Sequence, residues 1–132
     1  SVSEDSTALQ LARRRATTLT VSTSTLNVAD TAVSTASFTI TSNTSWKVSS
    51  DQTWLTVSST SGSNNATMTV KAAANTLNVT RSAVVTVSAT YATAQKVTIT
   101  QAAAPVTAAV SASPYTISAP ISLDGKSNMT IN

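Results

Sequence analysis

The sequence predicts an all-β fold: an antiparallel β-sandwich with an N-terminal arm and a C-terminal β extension. About eight short segments alternate apolar with polar residues, a period of two that is typical of half-buried strands. Ser and Thr make up 48 of the 132 residues, and the abundant Thr and Val favour strands. One apolar face and one hydroxyl face per strand indicates antiparallel sheets with solvated outer surfaces.

Both tryptophans lie in residues 43–62, the stretch around which we expect the fold to be organised. Trp46 and Val48 alternate with Lys47 and predict one strand, and Leu55-x-Val57 predicts the next. Gly62 is placed for a turn after the second strand. Burying one Trp removes roughly 150–250 Å² from water, so the two indoles are the predicted anchors of the core.

The other predicted strands follow the same alternation along the chain. Their in-phase apolar pairs are Leu19 and Val21, Leu26 and Val28, Phe38 and Ile40, Met68 and Val70, Val85 and Val87, and Val97 and Ile99. The predicted interior comprises Leu19, Val21, Phe38, Ile40, Trp46, Val48, Leu55, Val57, Val70, Val85, Val87, Val97 and Ile99.

Several of these segments resemble the BACON domain family. The resemblance rests, in order, on Trp46-x-Val48-Ser49-Ser50, Trp54-Leu55-Thr56-Val57-Ser58, Ser61-Gly62, a strand leading to Asn75, Arg81-Ser82-Ala83, and Val97-Thr98-Ile99-Thr100-Gln101. It implies an immunoglobulin-like β-sandwich over residues 19–102. It also implies a module of surface and secreted proteins of Bacteroidetes and their phages. The family name proposes carbohydrate binding, and members also serve as spacers.

The predicted domain organisation has an arm at 1–18, the sandwich at 19–102, and a linker with a β extension, or the start of a further domain, at 103–132. The arm could form a short helix capped at Ser3, or be disordered in isolation, or dock on a neighbour. The extension resumes the alternation without enough residues for a core of its own. We therefore expect both ends to contact other protein subunits. The residues predicted for these contacts are Leu9, Leu11, Arg13, Arg14, Arg15, Tyr115 and Ile117.

The residues that usually carry catalysis are scarce. The chain has no His and no Cys, and its five acidic residues fall in separate segments apart from Glu4 and Asp5. These features predict a protein that is not an enzyme, with no catalytic residues, no metal site and no cofactor. A net charge of +3 gives no electrostatic footprint for nucleic acid. No apolar run is long enough to span a membrane, and the chain shows no signal peptide. With the resemblance, this favours an extracellular, cell-surface or virion-surface protein.

Two functions remain open. One is a spacer, or a subunit of a larger assembly such as a decoration protein, acting through the terminal segments. The other is a carbohydrate-binding or adhesion module that recognises glycans through a patch near Asp51, Gln52 and Trp54, with Tyr91 as a further candidate ring. Arg81 is interpreted as a structural side chain whose fork of donors binds loop carbonyls.

Overall fold

The computed structural model describes residues 2–106, with side chains from residue 7 onward. One helix, α1 (Val2–Ala16), precedes nine strands. The strands are β1 (Leu19–Val21), β2 (Thr25–Val28), β3 (Ser34–Ser42), β4 (Ser45–Ser50), β5 (Leu55–Val57), β6 (Ser61–Ser63), β7 (Ala66–Ala72), β8 (Arg81–Ser88) and β9 (Gln95–Gln101). Most of the predicted C-terminal β extension, including Tyr115 and Ile117, lies outside the described residues.

The strands form two sheets, which confirms the predicted all-β sandwich. The first sheet has the order β1-β3-β7-β5 and the second β2-β9-β8-β4-β6. All eight predicted strands are present at the predicted positions. The central β3 and β7 pair over seven residues, as do β8 and β9. Sequence-adjacent strands therefore often lie in different sheets, as in immunoglobulin-like sandwiches.

The prediction of purely antiparallel pairing is wrong for one pair, because β2 runs parallel to β9. β1 pairs with β3 in the first sheet. The chain then crosses to the second sheet within residues 22–24 and continues in the same direction. There Thr98 N donates to Ser24 O at 2.8 Å, and Thr25 to Val28 align with Thr98 to Gln101. β2 has β9 as its one neighbour in the second sheet, and β9 runs in that same direction.

The core lies between the two sheets and contains eleven of the thirteen residues predicted for the interior. Val21 and Val57 are partly buried and pack against it, because each ends a three-residue edge strand. Four residues outside the predicted set complete the core: Val28, Met68, Ala72 and Ala83. Trp46 is 4% exposed, and its indole Nε1 donates to Asn64 O at 2.9 Å. The largest buried side chain therefore has its one polar group satisfied.

Gly62 lies in a strand rather than in the predicted turn. β6 pairs with β4, and Gly62 is the direct partner of Trp46. The backbone of Gly62 does not have a positive φ; the left-handed position after this strand belongs to Asn64, at φ 62°. A Cβ on Gly62 would overlap the indole carbons of Trp46, with Cζ2 only 2.6 Å away. Glycine is required here for space above the buried ring.

Candidate functional site

The two ends of the sandwich differ from its faces. One end, called here the Trp54 end, is formed by loops 29–33, 51–54 and 73–80 and by residues 102–106. The opposite end, the Tyr91 end, is formed by loops 43–44, 64–65 and 89–94 and by residues 16–18. Strand registers fix this division, since Ser50 aligns with Val85 and Lys47 with Ser88. The eight-residue β8 separates the two ends by about 23 Å.

Asp51 and Gln52 lie together in the loop between β4 and β5, but the loop uses most of their polar groups. Asp51 Oδ1 accepts from Val84 N at 2.8 Å, and Asp51 N donates to Val84 O at 3.1 Å. The carboxylate therefore prolongs the pairing of β4 with β8. Gln52 N donates to Ser50 Oγ, and Gln52 O accepts from Leu55 N. Asp51, Gln52 and Thr53 are all exposed, and the side-chain amide of Gln52 has no hydrogen-bond partner among the described residues.

Trp54 is half-buried beneath Arg81. The guanidinium carbon of Arg81 lies 4.3 Å from the centroid of the ring, a cation–π contact, and the indole packs against the core. Trp54 therefore covers one end of the sandwich. A sugar platform needs an open aromatic face, and Arg81 occupies this one.

Arg81 is held by loop carbonyls, as interpreted from the sequence. Its Nη2 donates to Ala73 O at 3.1 Å and to Ala74 O at 3.0 Å. Its Nε donates to Gln101 Oε1 at 2.6 Å. These bonds direct the flat guanidinium over Trp54, so the stack is part of the structure of this end.

Two buried amides complete the network at the Trp54 end. Gln101 is 0% exposed, and its Nε2 donates to Ala29 O at 2.9 Å and to Ala73 O at 2.7 Å. Asn75 is also buried; its Nδ2 donates to Val79 O and Ala102 O. Sequence reasoning found both residues only through the family resemblance, because Gln101 keeps the phase of β9 and Asn75 lies in a loop without a period.

Tyr91 lies at the other end, so the structure does not bring it to Asp51, Gln52 and Trp54. The hairpin between β8 and β9 carries it, at φ 68°. Its hydroxyl accepts from Arg13 Nη1 at 3.3 Å, and the Arg13 guanidinium lies 5.6 Å from the ring centroid. Asn43 joins α1 to the sandwich too, since its Nδ2 donates to Ala16 O at 2.6 Å and its Oδ1 accepts from Thr18 N.

The predicted arm is helical, and α1 begins at Val2 rather than after a cap at Ser3. Its three arginines occupy the last turn, where cations favour the helix dipole. Residues 7–16 are all exposed, including Leu9 and Leu11 at 51% and 47%. Arg13 and Asn43 link this helix to the sandwich, and Leu9 and Leu11 remain accessible on it.

In the described part of the chain, large apolar side chains are exposed on the arm and at the Trp54 end. Among residues 7–106, the large apolar side chains that are exposed are Leu9, Leu11, Val33, Leu77, Val79 and Val106. The last four lie at the Trp54 end and are called here the end patch. Sequence reasoning named the ends as contact regions but missed Val33, Leu77 and Val79. Their spacing in two irregular loops gives no periodic signal.

The outer face of the second sheet carries a shallow groove. Its lining includes Lys47 with the hydroxyl groups of Ser45, Ser61, Ser63 and Ser88. Trp46 lies beneath it but is buried, so the groove offers hydroxyls and one ammonium without an open ring. Within the part of the chain that the structure describes, no three His, Cys, Asp or Glu residues group as metal ligands would. None of the described helices is long and apolar enough to cross a membrane.

Comparisons with known proteins give a family match for part of the sandwich. Residues 44–102 match the family described as "BACON: Putative binding domain, N-terminal". This stretch is similar to the BACON family. The predicted resemblance is confirmed over these residues, and the family description is that of a binding domain rather than a catalytic one. None of the curated proteins gives a significant match.

Two solved structures resemble about two thirds of this chain. One is a Bacteroides ovatus GH5 xyloglucanase in complex with a XXXG heptasaccharide, with 25% identity and a TM-score of 0.63. The match covers 67% of this chain and 20% of that one, so this chain corresponds to about a fifth of the xyloglucanase. The other is an NMR structure of a protein from Bacteroides thetaiotaomicron, with 22% identity and a TM-score of 0.46, covering 65% of this chain and 87% of that one.

Proposed function

We propose that this chain is a non-catalytic spacer module that holds α1 and the residues after Val106 at opposite ends of a rigid sandwich. One observation carries the proposal: the chain enters the sandwich at the Tyr91 end, through residues 16–18, and leaves it at the Trp54 end, through residues 102–106. A module with this path adds its whole length between the segments that it joins.

Rigidity at both ends supports the spacer function. At the Trp54 end, Gln101, Arg81 and Asn75 bind carbonyls of the neighbouring loops. At the Tyr91 end, Asn43 links the last residue of α1 to the first residues before β1. Satisfied networks of this kind restrict a structure to a single arrangement. The segments that leave the sandwich are therefore tied at the points where they leave it.

We place the module in a surface or secreted protein of the Bacteroidetes or phage type, where its terminal segments contact other protein subunits. The exposed Leu9 and Leu11 beside three arginines are the accessible part of that surface on α1. The outer faces of the sheets are less suited to partner contacts than the terminal segments. Hydroxyl-rich faces lack the desolvated apolar anchors on which stable interfaces depend.

Glycan binding is the second candidate, and the similarity to the xyloglucanase favours it. Gln52 and the outer edge of Trp54 would be the contact groups, with Asp51 supporting their loop. The placement of Arg81 over the indole counts against a stacking platform. The spacer function requires no such open ring and is therefore preferred.

Distance measurement on the full chain tests the spacer. Because the chain has no Cys, a double variant Thr18→Cys and Ala102→Cys accepts spin labels at these two exposed positions alone. Pulsed electron paramagnetic resonance is expected to give one narrow peak in the distance between the two labels, at about 30 Å, because the length of the strands sets this distance. A broad distribution, with the strands intact by circular dichroism, would refute a rigid spacer.

Calorimetric titration with the XXXG heptasaccharide tests the alternative. The spacer proposal predicts no saturable heat. Saturable binding that Trp54→Ala abolishes and Tyr91→Ala preserves would instead establish a glycan site at the Trp54 end. Tyr91 serves as the matched control, since it is the half-buried ring at the opposite end of the same sandwich.

A further inference from the structure

The end patch is an apolar surface on three segments that the structure ties together. Val33 follows β2, Leu77 and Val79 precede β8, and Val106 follows β9. Asn75 N donates to Asp30 O at 2.8 Å, which joins the first two loops. Ala104 N donates to Leu77 O at 2.8 Å, which joins the third segment to the second. Hydrogen bonds therefore hold the patch in place.

The four side chains of the end patch are exposed enough to indicate a binding partner. Val33 is 68% exposed, Leu77 64%, Val79 59% and Val106 74%. Single exposed apolar residues are ordinary, but a group on neighbouring loops marks an interaction site. The loops do not need these side chains for their own packing, because Asn75 and Gln101 hold the loop backbones together.

The course of the chain identifies the occupant. Ala102 N donates to Val28 O at 3.1 Å, and Ala104 N donates to Leu77 O two residues later. These bonds tie residues 102–104, which lie outside the strands, first to the end of β2 and then to the loop that carries Leu77. The described chain therefore ends beside the patch, and Val106 is itself part of it.

We infer that the end patch is the docking surface for residues 107–132 of this same chain. This assignment rests on the proposed spacer function and deepens it. The Trp54 end would then be covered by the segment that follows the sandwich, instead of being open to solvent. The segment carries apolar residues in alternation, among them Tyr115 and Ile117. It begins next to the patch, so its local concentration there exceeds that of any separate molecule.

Paramagnetic relaxation in the full chain tests the inference. Asn78→Cys places a spin label between Leu77 and Val79 and keeps both apolar side chains. The amide signals of residues 111–131 are expected to lose most of their intensity. The same label at Thr90→Cys, an exposed position at the Tyr91 end, is expected to leave those signals intact. Equal intensities with the two labels would overturn the inference.

Two variants of the labelled protein separate docking on the patch from mere proximity. Leu77→Ser with Val79→Ser should restore the lost intensity, because it removes the apolar contact while leaving the backbone bonds of Asn75. Leu9→Ser with Leu11→Ser, an equal change on α1, should restore none. If neither pair changes the intensities, the patch is not what holds the segment.

A mixed sample identifies whose segment is bound. Isotope-labelled chain without a spin label is mixed with spin-labelled chain at natural abundance. Loss of signal in residues 111–131 of the isotope-labelled copy would mean that a second copy supplies the occupant, which overturns the assignment to the same chain. Full intensity in the mixture is the expected result. Neither outcome depends on glycan titration or on the end-to-end distance, so the inference and the spacer function fail separately.

Discussion

At the scale of single residues, Trp46 and Gly62 act as one unit. The indole fills the space between β4 and β6 that Gly62 leaves open. It also brings its Nε1 to Asn64 O, at the turn that ends β6. A buried aromatic residue and an unsubstituted backbone position opposite it thereby fix the edge of the second sheet.

Trp46→Ala should lower the free energy of unfolding by about 3–5 kcal/mol, because it removes a large buried side chain and leaves a cavity. The denaturant midpoint should fall while the slope stays constant. Trp54→Ala, at the half-buried tryptophan, is the matched comparison and should cost less. A midpoint unchanged by Trp46→Ala would contradict the observed burial.

Gly62→Ala should destabilise the protein by about 1–3 kcal/mol, the usual cost of overpacking. Gly62 has no positive φ, so an Ala at this position with free space around it would be neutral or stabilising. A loss of stability would therefore point to the overlap of the new Cβ with the indole. Ser61→Ala, next to it in β6, should have little effect. The double variant Gly62→Ala with Trp46→Leu should show smaller loss than the sum of its parts when both are measured by denaturant unfolding. If the losses of stability of the two single variants simply add, the indole of Trp46 is not the cause of the Gly62→Ala effect.

At the scale of elements, side chains at strand ends tie the loops to the sandwich. Gln101 closes β9 and joins the loops after β2 and β7. Arg13 and Tyr91 join α1 to the hairpin between β8 and β9. The first tie is buried and the second exposed, so their expected strengths differ.

Gln101→Ala should cost about 1–3 kcal/mol, because it removes the hydrogen bonds to Ala29 O and Ala73 O and leaves the Arg81 Nε without its partner. Gln95→Ala is the matched control: the same substitution at the other end of β9, where the amide donates only to Thr93 O. We expect thermal unfolding to separate the two variants clearly. Equal midpoints would show that the buried network contributes no stability.

Arg13→Ala should loosen α1 without affecting the strands. An exposed cation–π contact is worth about 0.5–1 kcal/mol, so the opening of the helix should increase roughly two- to fivefold. Hydrogen exchange of residues 7–16 measures it. Arg14→Ala changes the same charge in the same turn and should leave exchange nearly unchanged. Matching exchange rates for the two variants would mean that Tyr91 does not hold the helix.

At the scale of the whole molecule, one core between two sheets should make unfolding of the sandwich cooperative. Tryptophan fluorescence reports on Trp46 in the second sheet and on Trp54 at one end, whereas far-ultraviolet circular dichroism reports on all strands. The two signals should give coincident denaturation midpoints, as in a two-state domain. Separate transitions would show that the Trp54 end opens independently and could not serve as a rigid junction.

The alternation of side chains predicted eight strands, eleven core positions and the burial of Trp46. Each of these follows from local periodicity, because successive side chains of a strand point to opposite faces wherever the strand lies. The same reasoning missed β6, since Ser-Gly-Ser has no apolar residue to mark a period. It also could not separate Tyr91 from Trp54, because their distance depends on how β4 aligns with β8.

By itself the sequence determined the sandwich, the resemblance to the BACON family and the absence of His and Cys. Only the tertiary structure decided that β2 runs parallel to β9, that Arg81 covers Trp54, and that Val33, Leu77, Val79 and Val106 gather at one end. The physical reason is the range of the interactions. Strand period and residue chemistry are local properties, whereas pairing direction, stacking and patches arise between segments far apart in sequence, and the closure of the two sheets brings them together.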